Sequence, residues 1–360
     1  MPLTIRHLRR RSTGRVFSVG ARAWPATSPV PVLLAASLAA ALAGVLPAAH
    51  AQSTAQFPAQ RAPGGVEGGD ARGTDRGPAT RAAQPDPRWA PIRRVFGQEG
   101  EAEHGTLRLN FPRSDLSVRV GDHALAPGFE LTSYVAFTPA GPGRVLAMSE
   151  VICREDEVGA VLDEARRQGL DVPALHNHLI GESPRILYVH VMTVGEPAAV
   201  AEKFHAVYAR TATPLQHQAE TKGNPADYAA VSAILGAPAE VAGGVAEYIF
   251  PRRDRLTEHG VAVPSSDALE TASEVVFQPL GNGRMATGGE LYVAPEEVTP
   301  VVRALGAGGI HVTAIHHHMV LETPRLYWLH WYATGEPAAL ARTVKTALAA
   351  TRSAQQSKAD

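Results

Sequence analysis

From residue 87 onward the period of the apolar positions changes several times, and each change marks an element. A short amphipathic helix over residues 89–97 precedes strands near 107–111, 131–137 and 145–152. Val158, Val161, Leu162 and Ala165 then recur at three- and four-residue spacing, a one-sided helix that Gly169 ends. Two alternating runs, 174–180 and 186–192, read as a hairpin, with Pro173 at a strand start where no N–H is needed. A last helix opens at Pro197 and buries Val200, Phe204 and Val207.

The same text is then written again. His176-Asn177-His178 returns as His316-His317-His318, and Glu182-Ser183-Pro184-Arg185 as Glu322-Thr323-Pro324-Arg325. Gly195-Glu196-Pro197-Ala198-Ala199 returns as Gly335-Glu336-Pro337-Ala338-Ala339, and His190, Glu130 and Glu150 map to His330, Glu270 and Glu290. All of these share one offset, 140 residues, while Phe111-Pro112-Arg113 returns at Phe250-Pro251-Arg252, an offset of 139. Several motifs in one register mean a duplicated unit, spanning 87–212 and 226–352. In the second copy the helix carrying Val298, Val301, Val302 and Leu305 is expected to stop at Gly306. The predicted fold is α+β: two tandem homologous units, each an antiparallel sheet with helices on one face, related to a ferredoxin-like two-layer sandwich.

Residues 1–51 change the picture of where the protein works. Six Arg and no acid precede an apolar run that ends in Ala49-His50-Ala51, the order of a secretory signal cleaved after Ala51. The alternative is a retained membrane anchor, but the run contains Pro31 and its strongest part is shorter than the roughly 20 residues a span requires. Arg10-Arg11 leaves Sec and twin-arginine export both open. Residues 52–86, rich in Gly, Pro and Ala, read as a disordered linker. The protein is therefore expected to be periplasmic or secreted. The whole chain has 34 Lys+Arg against 35 Asp+Glu; without residues 1–51 it has 28 against 35, a charge of −7. That balance argues against nucleic acid as a partner. A small-molecule or peptide ligand remains open. The one cysteine, Cys153, excludes a disulfide framework and a Cys-based zinc cluster, so a metal site here must use His and carboxylates.

Strand alternation carries the chemical argument. Leu175 and Leu179 fall on one face of their run, and His176 and His178 on the other; on the returning run Tyr188 and His190 share a face. With the turn centred on Ser183, His176 faces His190 and His178 faces Tyr188, at about 4.5–5.5 Å between Cβ atoms. Three imidazoles so placed can converge on one ion at about 2.0–2.1 Å. The second unit repeats this with His316, His318, His330 and Trp328. Glu150, and Glu290 in the copy, sit late in the preceding strand and complete a three-His, one-carboxylate set if that strand borders the hairpin. Such donors suit a divalent Zn, Mn, Fe or Ni ion. Glu130 and Glu270 are reserve ligands or bases, and Arg185 and Arg325 candidate clamps for an anionic group. Three readings compete with the metal: an organic ligand bound on a face lined by His, Tyr188 and Trp328; two polar faces packed on each other; and Arg185 simply pairing with Glu182. Asn177 and His317 fall on the apolar face, as satisfied buried groups.

Leu175-His176-Asn177-His178 followed by Pro184-Arg185 and His190 resembles the LppY/LpqO family of bacterial lipoproteins. Phe111-Pro112-Arg113-Ser114-Asp115 and Thr132-Ser133-Tyr134-Val135-Ala136-Phe137 are similar to its other segments. The resemblance covers both units and implies an exported envelope protein built from a duplicated domain of unknown function. It supplies no activity. The chain departs from the lipoprotein pattern, since Leu42-Ala43-Gly44-Val45 has Val where the acylated Cys would stand. Two main functional classes follow: a metal-dependent hydrolase, and a non-catalytic periplasmic module that binds a metal or a small anionic or peptide ligand.

Overall fold

The computed structural model describes residues 86–219 and 221–353. The expected signal segment 1–51 and residues 52–85 of the expected linker lie outside them. No helix among the described residues is long and apolar enough to cross a membrane.

Each repeat folds as one six-stranded antiparallel sheet. In the first, helix α1 (Ala90–Phe96) leads into β1 (Glu101–Glu103), β2 (Thr106–Pro112), β3 (Thr132–Pro139) and β4 (Val145–Arg154). Helix α2 (Val158–Gln168), β5 (Asp171–His176), β6 (Ile186–Gly195) and helix α3 (Pro197–Tyr208) follow. The strand order is β1-β2-β3-β4-β6-β5, so β6 fills the gap left by the β4–α2–β5 crossover. The second repeat gives α4 (Ala229–Leu235), β7 (Glu240–Ala242), β8 (Val245–Pro251), β9 (Ala272–Gly281) and β10 (Arg284–Val293). It closes with α5 (Pro295–Ala307), β11 (His311–His316), β12 (Tyr327–Gly335) and α6 (Pro337–Leu348), in the equivalent order β7-β8-β9-β10-β12-β11.

Capping explains two of the repeated motifs. Gly169 ends α2 in the left-handed conformation at φ 64°, freeing its N–H to bond back into the last turn. In the copy, α5 continues through Gly306 to Ala307 and ends at Gly308, past the expected stop. Glu196 caps α3 by accepting from the N–H groups of Ala198 (3.2 Å) and Ala199 (2.9 Å); Glu336 does the same for α6 at 2.9 and 2.6 Å. That is the work of the Gly-Glu-Pro-Ala-Ala sequence.

One face of each sheet is covered by its own helices. Leu107, Leu109, Val135, Val151, Val189 and Val191 pack against Ile92, Val161, Val200 and Phe204, and an equivalent core closes the second repeat. The other faces meet each other. Both repeats lie in one compact unit, and two apolar clusters cross between them. Tyr134, Ala136 and Met148 of the first sheet pack with Leu269, Tyr292 and Met319 of the second repeat. Leu125, Phe129 and Ile152 pack with Val245, Val276 and Ala286. Gly288 permits this approach, since a Cβ there would stand 3.0 Å from the Phe129 ring. The layers thus run helix, sheet, sheet, helix, and the polar positions of both sheets fall at the buried middle.

Candidate metal centre

In the first repeat the strand ladder sets the donors. On β4 and β6, Glu150 stands directly opposite His190. On β5 and β6, His176 faces Tyr188 and Ala174 faces His190. The expected pairing of His176 with His190 is therefore corrected by two residues, and in the copy His316 faces Trp328 for the same reason. The cause is the turn. Residues 177–185 leave the hairpin, and Glu182–Ser183 pair instead with Arg119–Val120. Because the slip is an even number, the imidazoles keep their face. His178 sits in the bend beyond β5, not on the strand.

The side chains nevertheless converge. Glu150 Oε2 lies 3.0 Å from His190 Nε2, 3.2 Å from His178 Nε2 and 3.8 Å from His176 Nε2. Neighbouring donors around an ion with bonds of about 2.0–2.1 Å stand about 2.8–3.4 Å apart. All four of these atoms are buried with no good hydrogen-bond partner of their own, which a buried polar atom does not tolerate cheaply. In the second repeat His318 Nε2 and His330 Nε2 each lie 3.8 Å from Glu290 Oε2, and His316 Nε2 lies 2.8 Å from His330 Nε2.

Behind the imidazoles stands a second row. Glu130 Oε2 meets His178 Nδ1 at 2.5 Å and His330 Nδ1 of the other repeat at 3.5 Å. Glu270 Oε2 lies 3.6 Å from His318 Nδ1. A carboxylate on the far nitrogen fixes the tautomer and orientation of a ligating imidazole. Both glutamates adopt left-handed backbone, at φ 62° and 49°, a conformation that persists only where surroundings hold it. Here the Tyr188 hydroxyl donates to the Glu130 carbonyl (2.7 Å) and Trp328 Nε1 to that of Glu270 (2.8 Å). Tyr188 and Trp328, read as ligand-binding from the sequence, are buried and committed to these carbonyls, and stack on His178 and His318 at 3.5 and 3.9 Å. Arg185 and Arg325 are exposed and pair with Glu182 and Glu322 at 3.6 and 3.3 Å, so they do not join the cluster. Asn177 is half-buried and satisfied by the carbonyls of Leu179 and Thr313.

A family described as Domain of Unknown Function (DUF1259) matches residues 90–210 and 229–350. The chain belongs to this family. The two matched segments are the two sheets with their helices, so the duplication is a repeat of the family domain. Neither the curated proteins nor the solved structures gave a match.

The DUF1259 repeats are not electrostatically alike. Burial alone would raise Glu150 and Glu130, but His178 holds Glu150 well below the usual carboxylate range and Glu130 at about 2. Burial would lower His178, yet the two carboxylates push it up to about 10. In the second repeat burial and neighbouring carboxylates drive Glu270 and Glu290 well up. Burial and the adjacent imidazoles hold His176, His316 and His318 well below 6.5, and burial together with His178 brings His330 to about 4. Four imidazoles are thus neutral at pH 7 and ready to ligate. His178 is not. An ion taken by its Nε2 must displace a proton, so about one proton should be released per ion bound there at pH 7. Apparent affinity should rise about tenfold per pH unit above neutrality and level off as pH passes His178's value of about 10. Titration calorimetry in two buffers of different ionisation enthalpy measures the release. Heats independent of the buffer would contradict it.

One cluster residue escaped the sequence reading. Arg108 of β2 stacks 3.8 Å over the Tyr134 ring and reaches Glu270 Oε1 at 3.5 Å and the Asp267 carbonyl at 2.9 Å. Its signal was present: Arg108 alternates with Leu107 and Leu109, on the same face as the histidines.

Proposed function

We propose that this protein is an exported envelope protein that holds a divalent transition metal ion in its His and Glu cluster, as a binding module. The observation that carries this reading is the gathering of the His176, His178 and His190 Nε2 atoms around Glu150 Oε2, all four buried without a good hydrogen bond, with His176 in two groups of four donors close enough together to hold an ion. His and carboxylate donors suit Zn, Mn, Fe or Ni. The LppY/LpqO resemblance and the basic, apolar, small-residue order of residues 1–51 support the exported location.

A hydrolase needs an open coordination position that substrate reaches. Glu150, Glu290, His178, His190, His318 and His330 are all buried, and this favours holding the ion over cleaving a peptide or polymer with it. Elemental analysis of untagged protein tests the proposal. Purified protein should carry tightly held transition metal, and a His176→Ala plus His316→Ala double variant should lose nearly all of it while keeping its far-ultraviolet circular dichroism. Metal content unchanged by the double substitution would refute the ligand assignment.

A further inference from the structure

The two repeats were expected to offer two separate sites. Their imidazoles instead form two layers laid face to face. Within the first repeat, the ring of His176 lies 5.1 Å from that of His178 and 5.0 Å from that of His190, at interplanar angles of 26° and 2°. Rings side by side in one plane are a row of donors, not a packed stack. The second repeat has the same row, with His316 at 4.9 Å from both His318 and His330. The rows cover each other: His176 over His316 at 3.4 Å, His178 over His330 at 3.8 Å, and His190 over His318 at 3.8 Å. His178 is thus paired with the other repeat's hairpin residue, the pattern a two-fold axis between His176 and His316 produces.

Donor atoms mix accordingly. Those of His176, His178, His316 and His330 lie within 4.8 Å of one another, as do those of His176, His190, His316 and His318. Glu150, His190, Glu270 and His318 form a third such group. Each of these three draws on both repeats, while Glu290, His318 and His330 form a further group within the second. Glu130 spans them again, between His178 and His330. Charge points the same way. The side chains of Glu130, Glu150, Glu270 and Glu290 are buried, and the Arg108 guanidinium reaches Glu270 among them. Ionised, the four carboxylates carry −4, or −3 with Arg108, more than one divalent cation balances, and buried charge is tolerated only when compensated.

Resting on the metal-binding reading above, we infer that the protein holds two divalent ions as a single dinuclear centre, ligated from both repeats. The two mixed groups have His176 and His316 in common, so ions held by them are neighbours. Metal uptake and the association of the two repeats are then one event.

Copper(II) is a suitable probe, because it binds nitrogen and oxygen donors most strongly of the first-row divalent ions. Full-length protein loaded with Cu²⁺ should bind two equivalents and show dipolar broadening with a half-field electron paramagnetic resonance signal. The His176→Gln variant should weaken both ions at least tenfold, since His176 belongs to both mixed donor groups. Its circular dichroism checks that it has folded. Two equivalents with spectra of isolated ions, a single equivalent, or a His176→Gln variant that keeps one ion at unchanged affinity would each overturn the pair while leaving the metal-binding reading intact. Absence of any tightly held ion would overturn both.

Discussion

Stripping the metal with a chelator should lower the thermal midpoint of the protein by roughly 10 °C. An ion present at about 1,000 times its dissociation constant stabilises the folded state by about 4 kcal/mol. For a chain of this size each kcal/mol shifts the midpoint by about 2–4 °C. The position of the cluster makes the loss global. It lies between the two apolar patches that join the sheets, Tyr134–Met148–Leu269 on one side and Phe129–Ile152–Val276 on the other, so it cannot loosen without disturbing the only face the sheets share among the described residues. Readdition of the ion should restore the midpoint. The His176→Ala plus His316→Ala variant should melt near the chelated protein and respond no further to chelator. Scanning calorimetry gives the comparison, and identical melts for chelated and reconstituted protein would argue that the cluster is held by protons and hydrogen bonds alone.

What the sequence could convey was local. Period-two alternation placed His176 and His190 on one face, and that face is a property of the strand itself, insensitive to an even slip in register. Glu150 joined the set on the condition that its strand borders the hairpin, and the β4–β6 pairing meets that condition with Glu150 opposite His190. The register was not legible, because it depends on Glu182–Ser183 leaving the hairpin to pair with Arg119–Val120, a contact set by distant chain. The packing of the two polar faces on each other was one of the readings the sequence left open, but not which imidazoles would meet across it. A polar sheet face specifies that something must satisfy it, and the partner proved to be its own duplicate. Arg108 shows the same limit: its place on the strand was readable, while its partner Glu270 comes from the other repeat.

The second large effect is expected outside the histidine cluster, at Arg113. Its guanidinium is fully buried and meets Asp115 through two bonds of 2.9 Å, Glu157 at 3.2 and 3.4 Å, and the Ile152 carbonyl. Glu157 in turn accepts from the N–H groups of Arg154 (2.8 Å) and Ala212 (2.9 Å). One ion pair therefore joins the end of β2, the start of α2 and the chain beyond α3. Arg252, Asp254 and Glu297 repeat it, with Glu297 receiving Ala294 and Arg352 at 2.8 and 2.9 Å. This is what the recurring Phe-Pro-Arg sequence encodes. Arg113→Ala leaves Glu157 charged and buried without its cation, and should cost about 3–5 kcal/mol. Removing both partners abolishes the uncompensated charge, so an Arg113→Met plus Glu157→Leu variant should cost less than the single change. It should not return to wild type, because the Arg154 and Ala212 amides lose their acceptor, at about 1–3 kcal/mol for each one left buried. Urea unfolding of wild type, Arg113→Met, Glu157→Leu and the double variant at one metal concentration separates these terms. A double variant at least as unstable as the sum of the singles would show that the arginine acts through packing, not through charge.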